Sequence, residues 1–106
     1  MTQFIKSLAD GQLATTKGTL YTAPADKQAK AKIKLVNTAS GVVTVNLYFK
    51  ASGGTSRRLI PKDTTLPASN SLVMDDLVTL EAADIIEGAT TTGSKVDFVI
   101  NGVQKA

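Results

Sequence analysis

The chain has 106 residues, 42% of them hydrophobic and 20% charged, with a formal net charge of +3 and neither cysteine nor histidine. One domain of this length buries about two thirds of its unfolded surface and needs no covalent staple. The two missing residue types exclude disulfides, thiolate and imidazole metal sites, and the Ser-His-Asp and Cys-His nucleophile systems.

Aromatic residues make up 5% of the chain and tryptophan is absent, so the core must be built from Val, Ile, Leu and Ala. Residues 1–17 carry Phe4, Ile5 and Leu8 among polar neighbours, with Asp10-Gly11 and Lys17-Gly18 as flexible points. The apolar spacing fits about one turn of amphipathic helix or a short irregular strand, too brief to be stable alone, and predicts an N-terminal arm outside the core. Thr19–Ala23 reads as a short strand stopped by Pro24, and Pro24-Ala25-Asp26-Lys27 as a turn. Ala29, Ala31, Ile33 and Leu35 then alternate with Lys30, Lys32 and Lys34. After Thr38-Ala39-Ser40-Gly41, Val43, Val45, Leu47 and Phe49 alternate with Thr44, Asn46, Tyr48 and Lys50. Side chains of a strand point to opposite faces in turn, so the two runs predict a half-buried antiparallel hairpin.

Beyond it, Lys50–Ser56 is a glycine-bearing loop into a strand from Arg57 to Ile60, closed by Pro61. Lys62 to Ser71 reads as loop. Ser71 to Leu80 holds two strand pieces or one bulged strand. Glu81-Ala82-Ala83-Asp84 is a tight turn into Ile85-Ile86-Glu87, Gly88 to Ser94 is a Thr- and Gly-rich loop, and Lys95 to Asn101 is a last strand. Seven or eight short strands with regular turn signals predict an all-β fold, a single antiparallel β-sandwich of jelly-roll or Ig-like type over residues 18–106 with the arm over 1–17. The expected core is Ile33, Leu35, Val43, Val45, Leu47, Phe49, Leu59, Leu72, Leu80, Val96, Phe98 and Ile100.

The residues that bear chemistry are few. Asp75, Asp76, Glu81, Asp84 and Glu87 form the one acidic cluster, but adjacent strand residues face opposite ways and no calcium-loop spacing is present, so no metal is expected. Ser52-Gly53-Gly54-Thr55 lacks the Gly-Lys-Ser/Thr of a phosphate cradle and reads as a hairpin loop. Lys30, Lys32 and Lys34 on one strand face, and Arg57-Arg58, are the basic clusters; lysines so placed commonly protect a strand edge or exposed face from pairing. Nucleic-acid binding would need aromatic platforms beside them, and only Tyr48 near Lys50 and Tyr21 near Lys17 qualify, so it is not expected. No apolar run approaches the roughly 20 residues that span a bilayer, and the first residues have no charged-then-apolar leader pattern, so no membrane role is expected.

Gly18–Ala25, Ile33-Lys-Leu-Val-Asn-Thr38, Val43-Thr-Val-Asn-Leu-Tyr48, Arg57-Arg-Leu-Ile-Pro-Lys62 and Leu77–Gly88 together resemble small virion structural proteins of tailed bacteriophages. The resemblance covers residues 18 to about 103. It implies a β-sandwich or jelly-roll module without enzymatic activity or cofactor, made in the host cytoplasm and placed on the virion. The role it implies is a capsid decoration (cement) protein that binds the major capsid protein, with a homotrimer as the expected oligomer. A fibre-associated receptor- or carbohydrate-binding module is the alternative. Where such proteins commonly have Leu-Glu-Ala-Gly-Asp, this chain has Ala83, and positive φ there would strain the turn. Candidate contact residues are Phe4, Ile5 and Leu8 of the arm, and Val42, Thr44, Asn46 and Tyr48, a face less charged than a free monomer requires.

Overall fold

A computed structural model describes residues 3–74 and 77–105, with side chains from residue 7 onward. The acidic pair Asp75-Asp76 lies outside the described residues. Ten strands follow one another: β1 (Gln3–Gln12), β2 (Gly18–Thr22), β3 (Gln28–Asn37), β4 (Val43–Lys50), β5 (Ser56–Arg58), β6 (Thr64–Leu66), β7 (Ser71–Val73), β8 (Val78–Leu80), β9 (Ile85–Thr90) and β10 (Val96–Lys105). Every pairing between them is antiparallel. One five-stranded sheet runs β1-β10-β3, with β7 and β8 sharing the far edge of β3; the other runs β2-β9-β4, with β5 and β6 sharing the far edge of β4. The two sheets enclose one core, the all-β antiparallel sandwich that the alternation predicts.

Period-2 patterning decides what faces inward. On β3, Ala29, Ala31, Ile33, Leu35 and Asn37 are buried while Gln28, Lys30, Lys32 and Lys34 are exposed. On β10, Val96, Phe98, Ile100 and Gln104 turn inward, and Val43, Val45 and Leu47 do so from β4. Of the expected core, Phe49, Leu59 and Leu72 are only half-buried, packing on its rim. Leu13, Tyr21, Leu66, Val78 and Ile86 complete the interior. Gly102 lets β10 close on β3: a Cβ there would stand 1.8 Å from the Lys30 carbonyl oxygen.

The two alternating runs do not form the expected hairpin. β3 and β4 belong to different sheets, and residues 38–42 carry the chain across the core. Alternation identifies a strand's buried face and says nothing of its neighbour. What fixes the crossing is Asn37, fully buried at the end of β3. Its Nδ2 donates to the carbonyls of Gly41 (2.9 Å) and Leu66 (3.0 Å), and its Oδ1 accepts from the amide of Ala39 (2.8 Å). A buried amide with both ends occupied holds an irregular loop that has no ladder of its own.

The expected arm is also corrected. Residues 3–12 are a strand of the sandwich, in register with β10 from Gln3 opposite Lys105 to Gln12 opposite Asp97. A bulge between Ser7 and Ala9 breaks the period, so Phe4, Ile5 and Leu8 never show the alternation that would betray a strand. Leu13 continues the pairing through its amide, bonded to the Val96 carbonyl at 2.9 Å, and its side chain is 1% exposed.

Two expected loops contain strands. The 62–71 segment includes β6, three residues paired with β4, and β9 runs on through Gly88 and Ala89 to Thr90. Gly88 is required by packing: a Cβ would lie 2.9 Å from Leu20 Cδ1 and 3.1 Å from Leu13 Cδ2. Ser71–Leu80 is the expected pair of strand pieces, both on β3.

The 81–84 turn has the strain anticipated for it, with Ala83 at φ 68°. Asp84, buried, holds that conformation through a carboxylate that accepts the amides of Ser52 and Glu81, each at 2.9 Å. Replacing Ala83 by glycine removes a left-handed penalty of about 1–2 kcal/mol and loosens the unfolded chain by somewhat less, for a net gain of about 0.5–1 kcal/mol. Gly102→Ala should lose about 1–3 kcal/mol, because backbone must move to admit the methyl group. Phe98→Ala should cost about 3–5 kcal/mol. Urea midpoints of the three variants against the parent check these signs.

Candidate interaction surfaces

With the interior filled, functional chemistry is left to the two outer sheet faces. On the β4 sheet, Thr44, Asn46 and Tyr48 stand half-buried in a row along β4, as predicted. Val42 lies just before the strand, in the crossing turn, and is 63% exposed. Asn46 is a junction: its Oδ1 accepts from Arg58 Nη1 (2.6 Å) and from the Asp63 amide (2.9 Å), while its Nδ2 donates to Asp63 Oδ1 (3.1 Å). Asp63 sits at φ 53°, so Asn46 fastens a strained loop residue.

Tyr48 is directly opposite Arg58 on β5 and Glu87 on β9. The Arg58 guanidinium and the Lys17 ammonium each lie 5.0 Å from its ring centroid. Lys17 also donates to Ser56 Oγ at 3.2 Å, and Ser56 donates to the buried Glu87. Asn46 and Tyr48 are thus engaged by neighbours on this face, while Thr44 Oγ1 has no hydrogen-bond partner among the described residues. Arg58, Lys17 and Glu87 belong to the face and were not anticipated, because nothing in sequence spacing brings residues 17, 58 and 87 beside residue 48.

On the outer face of the β3 sheet, the rows are different. Lys34 has Val99 on one side and Val73 on the other; Lys30 has Val103 and Thr79; Lys32 has Asn101. Val73 is 54% exposed. The expected protection of an edge does not apply to these lysines, since β3 has strand neighbours on both sides. They do occupy an exposed strand face, as expected.

The predicted contact residues thus divide. Phe4 and Ile5 lie in β1 opposite Gln104 and Val103, on a different sheet from the β4 face, and their side chains are outside the described residues. Leu8 is half-buried against the protein's own core. Of the acidic cluster, Asp84 ties the 81–84 turn and Glu87 accepts from Ser56, while Glu81 is exposed. Among the described residues no three carboxylates gather where they could hold a cation.

No family model matches the chain, and no curated protein matches it. Solved structures do. The chain is similar to a protein of Bacillus endospore appendages, described as a novel family of disulfide-linked pili, with a TM-score of 0.60, 18% identity, and coverage of 99% of this chain and 87% of that one. It is similar to a chain of the acid-stable capsid of Helicobacter pylori bacteriophage KHP30, with a TM-score of 0.56, 11% identity, and coverage of 98% and 87%. It is also similar to part of a chain of the T13 viral particle of IBDV, at a TM-score of 0.51 and 12% identity, covering 97% of this chain and 29% of that one. At such identities the shared property is the sandwich fold.

Asn46→Ala should cost about 1–2 kcal/mol, because the Asp63 amide and Arg58 lose their common acceptor. Thr44→Val should be neutral or slightly stabilising, because Thr44 Oγ1 is buried without a hydrogen-bond partner. Chemical denaturation of the two variants separates the anchoring residue from its idle neighbour.

Proposed function

We propose that the chain is a structural subunit of a bacteriophage virion, a capsid decoration protein that acts as a homotrimer and stabilises the head through contact with the major capsid protein. The observation that carries this reading is the use made of the buried polar groups. Asn37 and Asp84 hold loops, Glu87 ties β9 to β5 across β4, Thr90 ties β9 to β4, and Gln104 Nε2 donates across the core to the Tyr21 hydroxyl at 2.6 Å. Active sites keep convergent polar groups in reserve for a substrate. Here these five buried residues serve the fold, which suits a protein whose work is contact.

The fold likeness to a bacteriophage capsid chain and to a pilus protein supports the same reading. The disulfide linkage named for the pili has no counterpart in a chain without cysteine, so assembly here would rest on non-covalent area. The strand orders, β1-β10-β3 with β7 and β8 against β2-β9-β4 with β5 and β6, support a jelly-roll description. Exposed Val42 and the Thr44–Tyr48 face are the proposed contact between copies.

Purified protein added to heads that lack it should bind them saturably and raise the temperature at which they release DNA. Light scattering of the free protein should give three times the 11.1 kDa chain mass. Binding to host cells or glycans with no binding to heads would replace this reading by the fibre module.

A further inference from the structure

The two outer faces differ in one respect that bears on partner choice: on the β4 sheet Asn46 and Tyr48 are engaged by Arg58, Asp63 and Lys17, whereas the lysines along β3 have no such partners among the described residues. Among the described residues the one ion pair is Lys27–Asp26, at 3.9 Å, and Lys30, Lys32 and Lys34 make no side-chain hydrogen bond. Their strand positions put successive ammonium-bearing side chains about 6.6–6.8 Å apart on one side of the sheet. Lysine is a poor strand former and like charges along one face repel, so three of them on an interior strand oppose the fold locally. Valines border the stripe, and a hollow of about 280 Å³ beside it is lined by Gln28, Lys30, Thr79, Val103 and Lys105. Two lysines, Lys30 and Lys105, thus line one concavity.

We infer that the outer face of the β3 sheet docks an acidic protein surface, with partner carboxylates on Lys30, Lys32 and Lys34, one Asp or Glu side chain entering the Lys30–Lys105 hollow, and partner apolar atoms on Val73, Val99 and Val103. Charge complementarity selects this occupant. Among the described residues a second copy of the chain offers no acidic run: the exposed carboxylates Asp10, Asp26, Asp63 and Glu81 are dispersed over β1, two turns and a loop. A nucleic acid would find no aromatic residue and no arginine in these rows to stack on a base, whereas valine floors between charges suit a protein interface. On the reading that the chain is a virion subunit, this face is the one turned to the particle.

The test compares K30E/K32E/K34E with K50E/R57E/K62E, a triple variant of equal charge change at positions on the other sheet and its loops, after circular dichroism has shown both folded. The probes are poly-L-glutamate and oligothymidylate, titrated at two salt concentrations. Poly-L-glutamate should bind the parent in a salt-sensitive way, and the β3 variant should lose about tenfold or more in affinity while the control loses about threefold or less. Equal losses in the two variants, or tighter binding of oligothymidylate than of poly-L-glutamate to the parent, would overturn the inference. Carboxyl-to-amine coupling on intact particles then separates it from the functional reading. Links from Lys30, Lys32 or Lys34 to Asp or Glu of another protein support the inference, and links confined to other faces or to copies of this chain overturn it. A chain absent from particles overturns the virion reading alone, leaving the titration to decide the face.

Discussion

The sandwich depends on β3 having a neighbour along each edge over almost its whole length. β10 pairs with it from Gln28 to Asn37, and β7 and β8 divide the opposite edge. A strand so enclosed cannot slip by one residue without exchanging its alanines, isoleucine and leucine for lysines in the core. Its register in turn positions β10, on which β1 pairs. The side-chain sizes follow the same geometry. Small Ala31 lies opposite Gly102, where a side chain on β10 would strike the β3 backbone, and Ile33 and Leu35 share one interior with Val45 and Leu47 of the facing sheet.

Buried polar groups are placed where the ladders stop. Asn37 ends β3 and governs the crossing to β4, Asp84 joins the 81–84 turn to the 51–54 loop, and the Gln104–Tyr21 bond connects the two sheets directly. Each of these groups has partners that compensate its desolvation, and each replaces hydrogen bonds that irregular backbone would otherwise lack. An aliphatic core supplies burial but little direction. The amide, carboxylate and phenol contribute the direction at its margins.

Much of this was legible in the sequence, and the limits have physical causes. Inward and outward faces of β3, β4 and β10 follow from alternation alone, whereas the strained φ of Ala83 was legible only through the family resemblance, in which glycine holds that position. Partners do not: β3 and β4 read as a hairpin because two alternating runs about a short turn look the same whether they pair in one sheet or face across a core. β1 was hidden by its bulge, β6 by its three-residue length, and the second half of β9 by a glycine retained for packing against Leu13 and Leu20. Of the surface, Thr44, Asn46 and Tyr48 were visible as one face, whereas Arg58, Lys17 and Glu87 reach it from strands and loops remote in sequence.

The pairing of β1 with β10 has a consequence for synthesis. These are the first and last strands, so the first hydrogen-bonded partner of β1 does not exist until nearly all the described chain has been made. With emergence at about 5–20 residues per second, β1 stays unpaired for several seconds, far longer than the microseconds in which a local hairpin forms. Contacts of such long sequence separation also slow the closing step itself. During that interval the edge of β10's future site is vacant, and a nascent copy on the same message would carry the same unpaired strand. The bulge at Leu8 makes β1 a poor template for a flat intermolecular ladder, which limits mispairing between neighbouring ribosomes.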